Sequence, residues 1–286
     1  MACIAVFSYL LARYRVSGVL DWRHPWRFLM MTMVVALSLL GGFRTSLACC
    51  SILFIIQFIL EGLHRTRCVA IFAIVPIIGA TILVPFSDKM PLSVQRCLSF
   101  LPLKIDSSVR ANAEHSTQWR LEMWSILWPE VDKYFWEGKG YTASATDYFL
   151  TGEAVRRGYA TDHEMMILAG DYHNGALSII IPFGIWGVIA FLWFLAAGTR
   201  VLHLNFRYGD PELKQWNIAL YAGFLTKIIV FFFIYGAVHS DMVAMVGLVG
   251  LGVSLNGGVC RKPTAQERES ERVSMVSQEP VAALPG

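Results

Sequence analysis

The apolar residues of this chain are gathered into long uncharged runs, at 28–43, 45–60, 68–86, 174–199 and 242–259. Another run, 216–239, is interrupted only by Lys227. A hydrocarbon core of about 30 Å takes about 20 residues of helix to cross, with roughly 17 as the lower limit. The first two runs are slightly short, and they can still span if their ends snorkel or the bilayer thins. Lipid offers no partner to a backbone N–H or C=O, so each run must close its own hydrogen bonds as a helix. The chain is therefore expected to be all-α: a polytopic transmembrane helix bundle of about six spans plus a partial N-terminal helix. Charged residues make up only 16% of the 286, against about 25% in soluble domains, and mean hydropathy is +0.51. An ordinary soluble domain is excluded. Residues 1–12 are apolar but too short for a complete span. No basic residue precedes them and no small-residue cleavage site follows before Arg13, so a signal peptide does not fit. They read as the end of a helix whose beginning lies outside this chain.

Basic residues set the orientation. Arg13, Arg15, Arg23 and Arg27, then Arg65 and Arg67, then Arg200, Arg207 and Lys214, then Arg261, Lys262, Arg268 and Arg272 all fall to one side. The short turns opposite, near 44 and 236–241, carry only Arg44. The basic side is the cytoplasmic one. One large, mainly helical loop is then expected in the periplasm of a bacterial inner membrane protein, with the C-terminus cytoplasmic. The expected divisions are N-terminal membrane helices at 1–86, a periplasmic catalytic loop at 87–174, C-terminal membrane helices at 175–259 and a disordered cytoplasmic tail at 260–286. That tail is polar, mixed in charge and contains Pro, and it cannot bury enough apolar surface to offset its ordering entropy.

A net charge of +3 gives no argument for nucleic acid as a partner. Of the six cysteines, Cys97 is alone in the loop and none forms a CxxC pair, so no disulfide framework is implied. His163–Glu164 opens an HE pair, but HExxH needs histidine at 167, where the chain has Ile167. No P-loop, GxSxG or dinucleotide glycine motif is present. The loop carboxylates, among them Asp171, show no spacing that singles out a pair.

Within the loop, residues 117–136 have a helical pattern, with Leu121, Trp124 and Trp128 on one face, Thr117 as N-cap and Pro129 as a stop or kink. Two readings are open: an interfacial helix with its tryptophans at headgroup level, or aromatic stacking on a sugar or lipid. Gly138 and Gly140 then permit a tight backbone path, in range of a ligand. His173 and Asn174 stand where the loop re-enters the membrane. A histidine there is either a satisfied interfacial polar group or a general base, with Asn174 orienting the ring or a substrate hydroxyl. Gly184 and Gly187 share a helix face that allows close contact. Arg44 ends an apolar run, either gripping a phosphate bidentately or snorkelling. Lys227 lies mid-span, where a functional or paired role is the default and snorkelling the alternative.

His173–Asn174, nine residues, then Gly184-Ile185-Trp186-Gly187 resembles the HN-x9-GxxG signature of the O-antigen ligase and polymerase family. The segment from Arg120 to Trp124 resembles that family's arginine motif, although Trp124 stands where the family often has Leu. Pro129 to Gly140, ending in Gly138-Lys139-Gly140, is similar to its P…GxG element, and Gly42-Phe43-Arg44 to its arginine turn. The resemblance covers about residues 28 to 256. It implies a membrane glycosyltransferase that moves an undecaprenyl-diphosphate-linked glycan to an acceptor, with no metal and no cofactor. The acceptor would be lipid A–core in a ligase, or another repeat unit in an O-antigen or exopolysaccharide polymerase. Partners implied are the lipid-linked glycan donor, a lipid or glycan acceptor, and membrane lipids. Carried over residue by residue, Arg44 and Arg120 would hold the donor diphosphate, with Arg110 as a weaker alternative to Arg120, and His173 would be the base. Trp124, Gly138, Gly140 and Asn174 would border the substrate. Family members usually have about twice as many spans. The chain is thus expected to correspond to the C-terminal half, with part of the donor groove in helices outside it, and such a half could be inactive alone.

Two rival readings stand beside this one. A transport component would line a polar path with Lys227 and His239–Asp241, which leaves the long loop without a role. A non-catalytic remnant would follow from the absent N-terminal helices.

Overall fold

The computed structural model describes residues 2–67, 84–101, 103–140 and 143–264, with residues 69, 70, 74, 79, 81 and 266. Among these residues the regular structure is entirely helical, with no strand. The expected run at 68–86 and the tail beyond residue 266 lie largely outside them. Three helices open the chain: α1 (Ala2–Val19), α2 (Pro25–Leu40) and α3 (Arg44–Leu60). The stretch 87–174 holds α4 (Leu92–Cys97), α5 (Ser107–Tyr134), α6 (Ala145–Arg156) and α7 (Asp162–Leu168). Three long helices follow: α8 (Leu177–Tyr208), α9 (Lys214–Phe233) and α10 (Val238–Leu255). The chain is an all-α membrane protein. Among the described residues four helices are long and apolar enough to cross a membrane: α1, α8, α9 with its leading turn from Pro211, and α10. α2 and α3 are apolar but shorter, at 16 and 17 residues.

The N-terminal apolar stretch, expected to end near residue 12, continues as helix to Val19. At Arg15 the backbone leaves helical geometry (φ 60°, ψ 164°). A break strands backbone groups that lipid cannot satisfy, and side chains of other helices supply the partners. Val16 and Ser17 N–H donate to the two oxygens of Glu61 at 2.9 and 3.2 Å. Gln57 donates to the Leu11 carbonyl at 3.0 Å, and Gln215 donates to that of Ala12.

Packing is centred on α9, which contacts α1, α3, α8 and α10. One apolar core joins α1, α2 and α3 through Leu11, Val16, Met31 and Leu53, and reaches Ala222 of α9. A second fills the space between α8, α9 and α10 with Phe191, Leu202, Phe224, Phe231 and Met245. Lipid tails are as apolar as these side chains, so close fit rather than water exclusion holds such helices together. A Cβ on Gly198 of α8 would stand 2.7 Å from the Phe224 ring, so that ring packs directly on the α8 backbone. Large side chains such as Leu29, Trp193 and Phe233 point outward, as lipid-facing positions allow.

A third core joins the loop to the bundle. Met123 and Leu127 of α5 pack on Tyr172, Leu177 and Ile181. α5 differs from its expected form at both ends. It starts at Ser107, where Asp106 caps it by accepting from Ser108 N–H at 2.8 Å, so Thr117 is internal and donates to the Ala113 carbonyl instead. Pro129 lies inside the helix and does not stop it. Of the expected apolar face, Leu121 and Trp128 are exposed while Trp124 is half-buried against this core, and the buried residues are Val109, Ala113, Met123 and Leu127.

Candidate functional site

His173 is one of two non-glycine residues with positive φ among the described residues, at 52°. Such backbone costs about 1 kcal/mol or more and persists only where the surroundings fix it. Its ring is fixed from several sides. Nδ1 lies 3.2 Å from an Asp171 carboxylate oxygen and 3.3 Å from the Asp171 carbonyl. Both are acceptors only, so in the neutral ring the hydrogen belongs on Nδ1 and the lone pair on Nε2. Tyr235, in the turn between α9 and α10, donates its hydroxyl to both Asp171 oxygens at 3.2 and 3.0 Å. The Tyr235 and Trp119 rings meet the imidazole edge-on, with centroids 4.9 and 5.2 Å away. His163 stacks on the far face of Trp119 and lies 3.0 Å from its carbonyl oxygen.

Burial raises the Asp171 carboxyl, but hydrogen bonds and charge from His173, with the Tyr235 hydroxyl, outweigh it and hold the group below its ordinary value. Asp171 is therefore ionised at neutral pH. Burial and the Asp171 charge push the Tyr235 phenol up to about 12, with Arg120 pulling the other way. Tyr235 remains a donor.

The segment bearing His173 is anchored by a break in α8. Pro182 has no N–H, and Gly184 (φ 63°, ψ −166°) ends the short first part of the helix. The Gly138-Lys139-Gly140 turn docks there. Lys139 N–H donates to the Ile181 carbonyl at 2.7 Å and Gly140 N–H to that of Pro182 at 2.9 Å, while Ile185 N–H donates to Phe135 at 2.7 Å. Gly138 has φ 77°, and a Cβ on it would strike the Pro182 carbonyl. The glycine turn thus makes its close approach to the α8 backbone. Gly184 makes its own close contact with this turn rather than with another helix. Trp124 donates its indole N–H to the Tyr172 carbonyl at 3.1 Å, next to His173.

Beside this assembly lies a cavity of about 480 Å³ lined by Arg44, Arg96 and Arg120. Its described lining contains no carboxylate. Arg44 is the first residue of α3, following the Gly41–Phe43 turn in which Gly42 has φ 72°. A cation at the positive end of a helix dipole is uncompensated, and an anion there would satisfy both. Arg120 reaches the cavity from α5, one residue from Trp119, and Ile234 lines it one residue from Tyr235. The two residues whose rings flank the imidazole, Trp119 and Tyr235, are thus the chain neighbours of two cavity residues.

The structure places Arg44 and Arg120 on one cavity, while His173 does not line it and is linked to it through Trp119 and Tyr235, the chain neighbours of Arg120 and Ile234. Arg110 is exposed, donates to the Leu103 carbonyl at 3.3 Å and does not line the cavity. Asn174 accepts from Leu177 N–H at 3.2 Å and so caps the start of α8. Arg96, Asp171, Tyr235 and Trp119 are the residues that sequence reading passes over. Only Asp171, two residues before His173, carried a local signal. Lys227 is paired: it donates to Asp241 at 2.8 Å, and the other Asp241 oxygen accepts from Ala237 N–H at 3.1 Å. Among the described residues no group of three His, Cys, Asp or Glu side chains is arranged to hold a metal ion.

A family model described as O-antigen ligase matches residues 28–192, more than half of the chain. The chain belongs to the O-antigen ligase family. The match takes in Arg44, Arg96, Arg120 and His173 and stops within α8, so Tyr235 and Lys227 of this O-antigen ligase relative lie beyond it. No curated protein and no solved structure is significantly similar to the chain.

Proposed function

We propose that this O-antigen ligase family member transfers a glycan from undecaprenyl diphosphate to an acceptor hydroxyl at the periplasmic face of the bacterial inner membrane. The observation that carries this reading is a carboxylate-free cavity lined by three arginines, one of which, Arg120, follows Trp119, whose ring meets the imidazole that Asp171 holds at Nδ1. In the reaction the acceptor oxygen attacks the anomeric carbon and the carbon–oxygen bond to diphosphate breaks. The acceptor proton passes to Nε2 of His173, and undecaprenyl diphosphate departs with the bonding electron pair. Arg44, Arg96 and Arg120 supply the positive charge that the departing diphosphate needs. Asp171 holds the tautomer and stabilises the imidazolium that forms. In this reading the arginines do without a divalent ion.

The ligase form, with lipid A–core as acceptor, is the reading adopted. A polymerase extending an O-antigen or exopolysaccharide chain uses the same chemistry and differs only in its acceptor. The Lys227–Asp241 pair favours neither a transporter nor a channel, because each charge has its partner.

The test is complementation in a cell lacking its own activity. His173→Ala and Arg120→Ala should each abolish surface polysaccharide while the protein accumulates in the membrane. Undiminished polysaccharide in both variants sinks the proposal.

A further inference from the structure

The geometry points to Tyr235 as a positioning residue for His173, acting through Asp171 from outside the region that carries the family match. Its hydroxyl spans both carboxylate oxygens of Asp171, at 3.2 and 3.0 Å, while one of those oxygens faces His173 Nδ1 at 3.2 Å. The single O–H of Tyr235, shared between the two oxygens, restrains rotation of the carboxylate and therefore of the ring that donates to it. This inference rests on the proposed role of His173 and adds a third member to its support.

The fold brings Tyr235 there by backbone contact. Gly175, two residues after His173, and Gly236, next to Tyr235, are both buried and face one another. A Cβ on Gly236 would lie 2.7 Å from the Gly175 Cα, and one on Gly175 would lie 2.6 Å from the Phe231 ring. The turn itself is pinned at both ends. Tyr235 N–H donates to the Val230 carbonyl at 2.9 Å. Asp241, tied to Lys227, accepts from Ala237 N–H at 3.1 Å. The ion pair of α9 and α10, buried on its Asp241 side, thereby has a use: it holds the turn that presents Tyr235.

The direct test reads the tautomer of His173. The full chain, with ¹⁵N-labelled histidine, is placed in lipid nanodiscs at a pH where the ring is neutral, and the His173 signals are assigned by their loss in His173→Gln. Wild type should show a protonated Nδ1 and an unprotonated Nε2. Tyr235→Phe keeps the aromatic ring and removes only the hydroxyl. It should lower the Nδ1–H population and reduce kcat for glycan transfer about tenfold, the loss of one hydrogen bond to a charged group, with KM for the lipid-linked donor unchanged. Asp171→Ala should lose the tautomer preference altogether. A Tyr235→Phe tautomer identical to wild type overturns the inference, even where Asp171→Ala shows the loss. Failure of the underlying reading is seen separately, as full transfer activity in His173→Ala.

Discussion

The Tyr235 hydroxyl donates to both oxygens of Asp171, whose carboxylate in turn faces His173 Nδ1 at 3.2 Å. Asp171→Asn should therefore disable the site without emptying it. An asparagine amide can donate to Nδ1 and favour the wrong tautomer, so transfer should fall about 10²- to 10⁴-fold with donor binding retained. Steady-state kinetics with a lipid-linked glycan donor measure both quantities.

The same carboxylate gives a pH signature. Asp171 is held below its ordinary value in the folded protein, so its contribution to stability is full above the unfolded value of about 4. It is lost as pH falls through the lower, folded value. The Tm difference between wild type and Asp171→Asn should shrink as pH falls below about 4. Differential scanning fluorimetry across that range checks the sign. A difference that grows on acidification contradicts it.

Three arginines should share the donor diphosphate. Arg44→Ala, Arg96→Ala and Arg120→Ala should each weaken binding of undecaprenyl diphosphate about 10-fold or more, the worth of a charged hydrogen bond. Arg110→Ala should leave it unchanged, because that side chain does not line the cavity. Binding to the purified chain in nanodiscs separates the two classes. Equal losses in all four would mean that charge alone, and not the cavity, attracts the lipid.

Two glycines with the same backbone sign should behave differently. Gly138 (φ 77°) lies against the Pro182 carbonyl, whereas Gly158 (φ 76°) has open space where a Cβ would go. Gly138→Ala should cost about 2–4 kcal/mol from strain and overlap, and Gly158→Ala about 1 kcal/mol from strain alone. Unfolding titrations of both variants provide the comparison.

Lys227→Met leaves the buried Asp241 unpaired and should destabilise the protein by about 3 kcal/mol. Lys227→Met with Asp241→Asn should recover much of that loss. Proteoliposome ion flux should be unaffected by either, where a transport role requires it to change.

The membrane architecture was legible because lipid leaves the sequence few options. The runs at 28–43, 45–60, 174–199, 216–239 and 242–259 correspond to α2, α3, α8, α9 and α10, although α8 continues to Tyr208 and α9 stops at Phe233. The first half of α5 was missed because Ser107–Gln118 is polar and carries little apolar periodicity. Arg44, Arg120 and His173 were readable as motif residues, each within a recognisable local pattern. Arg96 and Tyr235 were not, since their relevance depends on which helices meet. Arg96 becomes a cavity residue only when α3, α4 and α5 converge. Tyr235 reaches Asp171 only because Gly175 and Gly236 let two backbones touch. Gly138 and Gly140 announced a close approach without saying to what, and the partner is the broken segment of α8.

The most direct measurement is the initial rate of glycan transfer by purified His173→Ala, taken beside its affinity for undecaprenyl diphosphate. The account predicts a rate reduced about 10²-fold or more, as for loss of a general base, with affinity for the lipid diphosphate intact. Transfer at the wild-type rate contradicts it.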